Sequence, residues 1–307
     1  MKLTPAYLSA TVQDAPEAKS FTLRNKNITH IDDLSTFLNL QRLDLTENAL
    51  KTGESLNGLC YCHWITWLSV AKNQLEDIQY ICKIRSLQVL NASHNKLKVL
   101  PWDELAVLEK LKALILNDNQ LTAFPPTACL PKSLDTLVLS GNQLAELPAT
   151  IFRRLGNLTK VSLSHNHLHT LPDLAECWQL KEVRLAGNRI SSLKDALVKL
   201  PPSLEILDLG HNQLDNAERV LAAFAACPLK KITSLNLKGN PCLPDDAASA
   251  ALLAGLKSAL PELRIFNGRN LSESPSSKAK GPLKRPSFTE VRVKAERQNK
   301  NTKLTFE

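Results

Sequence analysis

The chain reads as a solenoid of the α/β class, a curved parallel β-sheet on the concave face with short helices, 3-10 turns and loops on the convex side. Three observations predict it. The pattern L-x-x-L-x-L-x-x-N-x-L recurs nine times, and its asparagines step forward by 22 to 28 residues. Aliphatic residues, led by Leu, dominate a chain with only 5% aromatic residues. Self-similarity at that period marks supersecondary units that stack because none can bury its own apolar face alone.

The elements follow in order. Residues 1–20 predict an N-terminal cap, in which Thr4 before Pro5 supplies the N-cap and first position of a short helix. A degenerate unit comes next, Phe21, Leu23 and Ile28, with Lys26 in the Asn slot. Nine full units then run to residue 240, from Leu40, Leu43, Leu45, Asn48, Leu50 to Ile232, Leu235, Leu237, Asn240, Cys242. In each, x-L-x-L-x predicts a short strand whose Leu residues alternate inward. Each Asn turns inward, where its amide bonds backbone groups of adjacent turns. A buried polar group left unpaired costs ~1–3 kcal/mol, so that service is needed where the chain leaves the strand. Residues 241–270 predict a closing cap: Asp245 or Asp246 starts a helix through Ala247–Leu260, Pro261 ends it, and the run to Arg269 adds a last strand-like stretch. Residues 271–307 drop the pattern, hold 9 Lys/Arg and 4 Asp/Glu, and predict a disordered basic tail. That tail carries +5 of the +8 net charge, leaving +3 for the body.

Period and pattern are those of leucine-rich repeats. The units followed by Asn240-Pro241, a helix and the run Leu260-Pro-Glu-Leu-Arg-Ile-Phe-Asn-Gly268 resemble intracellular leucine-rich-repeat proteins with a C-terminal cap. That class includes the regulatory subunit of protein phosphatase 1, a spliceosomal subunit and an outer-arm dynein light chain. The resemblance covers residues 21–270 and implies the fold with a partner-binding role.

The x positions of the strands are expected to face a partner. In the second to fifth full units they present Trp67, Val89, Asn91, Ile115 and Val138; in the sixth to ninth they present Lys160, Glu182, Arg184 and Asp208. An exposed Trp beside aliphatics with a polar rim has the composition of a protein-binding surface.

Other chemistry finds little support. No stretch approaches the ~20 consecutive apolar residues of a membrane span. The first 20 residues, with Asp14, Glu17 and two prolines, do not read as a secretory signal, which predicts an intracellular chain, nuclear or cytoplasmic. Seven cysteines, an odd number and mostly scattered, read as reduced thiols. Cys60-x-Cys62-His63 lacks both finger spacing and a second ligand pair, so no metal is expected there. His165, His167 and His169 read as a surface cluster. His94, His165 and His211 share one unit position but sit units apart. No phosphate loop or nucleophile elbow occurs, so neither enzyme activity nor a cofactor is expected.

The expected function is a non-enzymatic adaptor, by itself a monomer, that docks a protein on its concave face and uses the tail as a second contact. Two alternatives stay open. Lys284 and Arg285 could touch RNA phosphates in a ribonucleoprotein or ribosome-assembly component. Lys303, Leu304 and Phe306 are similar to the basic-aliphatic-x-aromatic docking motif of protein phosphatase 1 partners, which would make the chain a regulator of that enzyme.

Overall fold

The structure, a computed structural model, describes residues 1–12 and 14–272. The expected disordered tail and its contacts Lys284, Arg285, Lys303, Leu304 and Phe306 lie outside the described residues.

The fold is a leucine-rich-repeat solenoid. Its strands are β1 (Lys2–Leu3), β2 (Ser20–Thr22), β3 (His30–Ile31), β4 (Arg42–Asp44), β5 (Trp67–Ser69), β6 (Val89–Asn91), β7 (Ala113–Ile115), β8 (Thr136–Val138), β9 (Lys160–Ser162), β10 (Glu182–Arg184), β11 (Ile206–Asp208), β12 (Ser234–Asn236), β13 (Ile265–Phe266) and β14 (Arg269–Asn270). Apart from β1 and β3, which pair with each other, they form one sheet whose spatial order is the chain order. All neighbours run parallel except the final pair, β13 with β14. Parallel partners need a crossover between them, and each return arc supplies one. The degenerate unit contributes β2, whose Phe21 pairs with Leu43.

Register follows from the pattern. Leu43, Leu68, Leu90, Leu114, Leu137, Val161, Val183, Leu207 and Leu235 pair in one continuous row and are buried. Behind them the aliphatic residues of the arcs complete a single core. Burying one such side chain is worth about 1.5–3 kcal/mol, and most of that requires the neighbouring unit.

Among the described residues, four α-helices lie in the arcs and caps. α1 (Pro5–Thr11) starts where Thr4 Oγ1 accepts from the Tyr7 N–H at 3.1 Å. The short α2 (Trp102–Ala106) tilts Trp102 against Phe124. α3 (Ala217–Ala226) is capped by Asn216, and α4 (Asp246–Ala259) by Asp245, whose carboxylate accepts from the Ala248 N–H at 2.7 Å. Between the two acidic candidates, Asp245 is the cap.

The asparagines form a ladder. Asn166 is typical: its Oδ1 accepts from the Leu144 N–H of the preceding unit at 3.0 Å, and its Nδ2 donates to the carbonyls of Leu139 and Leu163, both at 3.0 Å. The same arrangement recurs at Asn73, Asn95, Asn119, Asn142, Asn188, Asn212 and Asn240. Asn48 serves the degenerate unit through the N–H groups of Lys26 and Ile28. In the cap, Asn267 takes the Leu237 N–H at 2.8 Å, the strand amide that in earlier units donates to a carbonyl of the next strand, so it ends the sheet and is not a rung of the ladder.

The residue before each rung is left-handed. Glu47, Lys72, His94, Asp118, His165 and His211 have φ between 52° and 60°, and Gly141, Gly187 and Gly239 between 65° and 77°. This accounts for the shared position of the three histidines: the backbone there favours Gly, and Asn, Asp and His next.

Candidate functional site

The face of the sheet turned away from the core is the candidate surface. Its side chains come from the first and third residues of each strand, so side chains of one row stand about 4.8 Å apart along the sheet. That spacing divides the expected site residues into three sets.

The first set is Trp67 with a partner that sequence reasoning missed. The Arg42 guanidinium lies 3.4 Å from the Trp67 ring centroid. The two residues pair across β4 and β5, so their juxtaposition follows from register. Trp67 is consequently half-buried under a cation.

The second set overturns an expectation. Val89, Ile115 and Val138 were expected at the surface, but their exposures are 4%, 5% and 1%. Register explains the difference. Val89 pairs with Trp67 and Ala113, and Ile115 with Asn91 and Val138, so each aliphatic side chain is enclosed by its row neighbours. They form an apolar floor that supports the face, and no exposed aliphatic patch exists there. Asn91 is half-buried and engaged locally: its Oδ1 accepts from the Ser93 N–H at 3.1 Å and the Ser93 hydroxyl at 2.8 Å.

The third set is a charged strip. Glu182 lies between two cations, with Lys160 Nζ at 3.1 Å from one carboxylate oxygen and Arg184 Nε bonded to the other. Beside it, Asp208 accepts from Asn236 Nδ2 at 2.7 Å and from the Gly210 N–H at 3.1 Å. Lys160, Glu182, Arg184 and Asp208 are all half-exposed. The structure therefore unites Lys160, Arg184 and Asp208 with Glu182 and leaves Trp67 in a separate group with Arg42.

At the other end of the face, Asp44 is buried under Arg24. Burial penalises its charge, but hydrogen bonds from Arg24 and Thr46 outweigh that cost and hold the carboxyl below its usual range. The Arg24–Asp44 contact is 2.7 Å.

The cysteines are free, and all but Cys129 are buried. Burial pushes the Cys62, Cys82 and Cys177 thiols up to about 12. Among the described residues, no group of three or more His, Cys, Asp or Glu side chains is arranged to hold a metal. Nor is any described helix long and apolar enough to cross a membrane.

Comparison with known proteins agrees with this geometry. A family described as "Leucine rich repeat" matches residues 132–176 and 179–241. Podocan-like protein 1 of Mus musculus is 33% identical over 220 residues, covering 68% of this chain and 37% of that protein. Keratocan of Danio rerio is 30% identical over 184 residues, covering 57% and 50% respectively. The chain thus spans half or less of the length of these relatives. Among solved structures, YopM from Yersinia enterocolitica aligns with a TM-score of 0.59 at 24% identity, covering 86% of this chain and 50% of that one. An internalin of Listeria monocytogenes aligns with a TM-score of 0.55 at 20% identity, covering 79% and 73%. At such identities the structural likeness speaks for the fold alone.

Proposed function

Because the fold is a leucine-rich-repeat solenoid, we propose that the chain is a non-enzymatic scaffold that binds a protein partner across the open face of its sheet. The observation that carries this reading is the strip Lys160, Glu182, Arg184 and Asp208. It presents charges of both signs, half-exposed, from adjacent strands whose backbones are fixed by the ladder. Pre-organised polar groups lose little freedom on binding, and mixed charges fix register and exclude wrong partners. The Arg42–Trp67 pair is a second anchor on the same face, since Trp and Arg are favoured hot-spot residues.

Catalysis is the weaker reading. It asks for an acid or base tuned toward neutrality, whereas Asp44, the most enclosed carboxylate of this face, is held in the opposite direction as part of an ion pair. One further relative carries the name of a receptor, a leucine-rich-repeat-containing G-protein coupled receptor of Rattus norvegicus, in keeping with a binding role. The buried thiols suit a reducing, intracellular compartment, and the run Leu260–Gly268 suits the capped intracellular class that it resembles.

Proximity labelling in cells with the intact chain would identify neighbours. The double variant Lys160→Glu, Arg184→Glu should remove the direct partner from that set while circular dichroism and melting temperature stay as in the parent. An unchanged neighbour set with both reversals in place would overturn the reading.

A further inference from the structure

A second surface lies where the chain enters the strands, on the flank of the solenoid. The residue just before the first consensus Leu of each full unit is polar in every case but one. Ser86, Ser133 and Ser203 show its ordinary service: each hydroxyl donates to a main-chain carbonyl of the preceding unit, at 2.7, 2.7 and 2.8 Å. In one unit Trp64 stands there instead, with an exposure of 57%. Leu38, from the unit before, is 64% exposed, and Val107, two units on, is 45% exposed. Nothing in the fold requires large apolar residues at these places.

These three side chains border two adjoining hollows. One, of about 530 Å³, has Leu38 and Trp64 on its walls; the other, of about 500 Å³, has Val107. His63, Ser86 and Lys110 line both, so the hollows form one continuous trough. The trough crosses the entries to β4, β5, β6 and β7, three strand spacings or roughly 14 Å. An extended segment of four or five residues at ~3.3 Å each spans that distance.

Charge selects the occupant. Arg85 and Lys110 line the trough, both exposed. Arg85 spends one Nη1–H on the Val107 carbonyl at 3.2 Å and keeps its other donors. Glu109 is the one carboxylate on the walls. A field of this sign attracts anions, and apolar walls inside a cationic rim have the make-up of a peptide-binding site.

We infer that this flank binds an extended acidic peptide segment, whose large apolar side chain enters between Leu38 and Trp64 while neighbouring carboxylates meet Lys110 and Arg85. The surface is separate from the open face of the sheet and does not depend on what binds there. Aliphatic Leu38 and Val107 on the walls favour a peptide over a nucleic acid, which would ask for stacking platforms throughout.

The test pans the full chain against short random peptides displayed on phage and measures the recovered sequences as labelled synthetic peptides by fluorescence anisotropy. The expected ligands place Asp or Glu around a large apolar residue. Lys110→Glu and Trp64→Ser, both at exposed positions, should each weaken them about tenfold, as should a rise in salt from ~0.05 to ~0.3 M acting on the charged part. Arg184→Glu, on the open face, should leave the affinity unchanged, and thermal melts establish that each variant is folded. The inference is overturned by ligands with no acidic bias, by an affinity indifferent to Lys110→Glu, or by single-stranded RNA displacing the peptide at lower concentration than unlabelled peptide does.

Discussion

Removal of one rung, Asn166→Ala, tests the physical basis of the whole array. The carbonyls that Asn166 serves are each shared: Leu139 O also accepts from Asn142 Nδ2, and Leu163 O from Asn188 Nδ2, both at 3.0 Å. They lose one donor and keep another. The Leu144 N–H has no such reserve, because Asn166 Oδ1 is its acceptor and the site is buried. One orphaned buried N–H costs about 1–3 kcal/mol, and each lost secondary bond a further fraction of ~0.5–1.5 kcal/mol, so the expected loss is about 2–4 kcal/mol. That is a large part of the ~5–15 kcal/mol available to a folded chain. Urea unfolding followed by circular dichroism reads the loss, and hydrogen exchange should accelerate first at the Leu144 amide. Asn157→Ala, which removes an exposed bond to the Lys132 carbonyl at 3.3 Å, should cost under ~0.5 kcal/mol. A loss below ~1 kcal/mol for Asn166→Ala, or no faster exchange at Leu144, would refute the reasoning.

Other perturbations have equally definite outcomes. Gly58→Ala would place a Cβ 2.0 Å from the Asp32 carbonyl oxygen, main chain that cannot rotate aside, so its melting temperature should fall more than that of Gly141→Ala. The latter change meets chiefly the carboxylate of Asp118, with the Asp118 main-chain nitrogen farther off at 3.3 Å, and forces Ala to φ 65°, at about 1–2 kcal/mol. Since the folded-state pKa of Asp44 is lowered, its contribution exists above the unfolded value of about 3.9 and disappears as pH falls through the folded one. The stability gap between the parent and Asp44→Asn, on the order of 1 kcal/mol, should therefore be largest near neutrality and close in acid; a gap that widens in acid would reverse the argument. Iodoacetamide at neutral pH should modify Cys129 alone in the folded chain, read by mass spectrometry of tryptic peptides, because the remaining thiols are buried.

What was legible in the sequence is what repeats. Leu137, Leu139 and Asn142 each have counterparts in eight other units, and the requirement to bury or bond them is the same everywhere, so fold, strands and rungs follow from spacing. Asn267 escaped because its unit is incomplete: it caps a strand amide, that of Leu237, without the leucines that frame a repeat. The open face was harder, since exposure there depends on the neighbour one repeat away. Reading Val138 by itself gives a surface residue, whereas reading it beside Ile115 gives a buried one. Arg42 over Trp67 was available from the same row-by-row reading. Trp64 could have been noticed as the one apolar residue at an otherwise polar unit position, but a search for inward-facing residues passes over the flank.

The ladder has a direction. Each rung reaches back to satisfy the unit before it, so every unit ahead of the last depends on its successor. Cutting the array from the front takes away recipients and leaves the surviving amides to water, whereas cutting from the back strands an N–H at the new end. In the last unit Pro241 has no N–H to give the Leu214 carbonyl, and the Cys242 N–H donates there instead at 2.8 Å, so no rung is owed from a unit beyond; Asn267 meets a different need, the strand N–H of Leu237. An array built this way can gain or lose whole turns in its middle and can be trimmed at its head, but its tail-end closure has to travel with it.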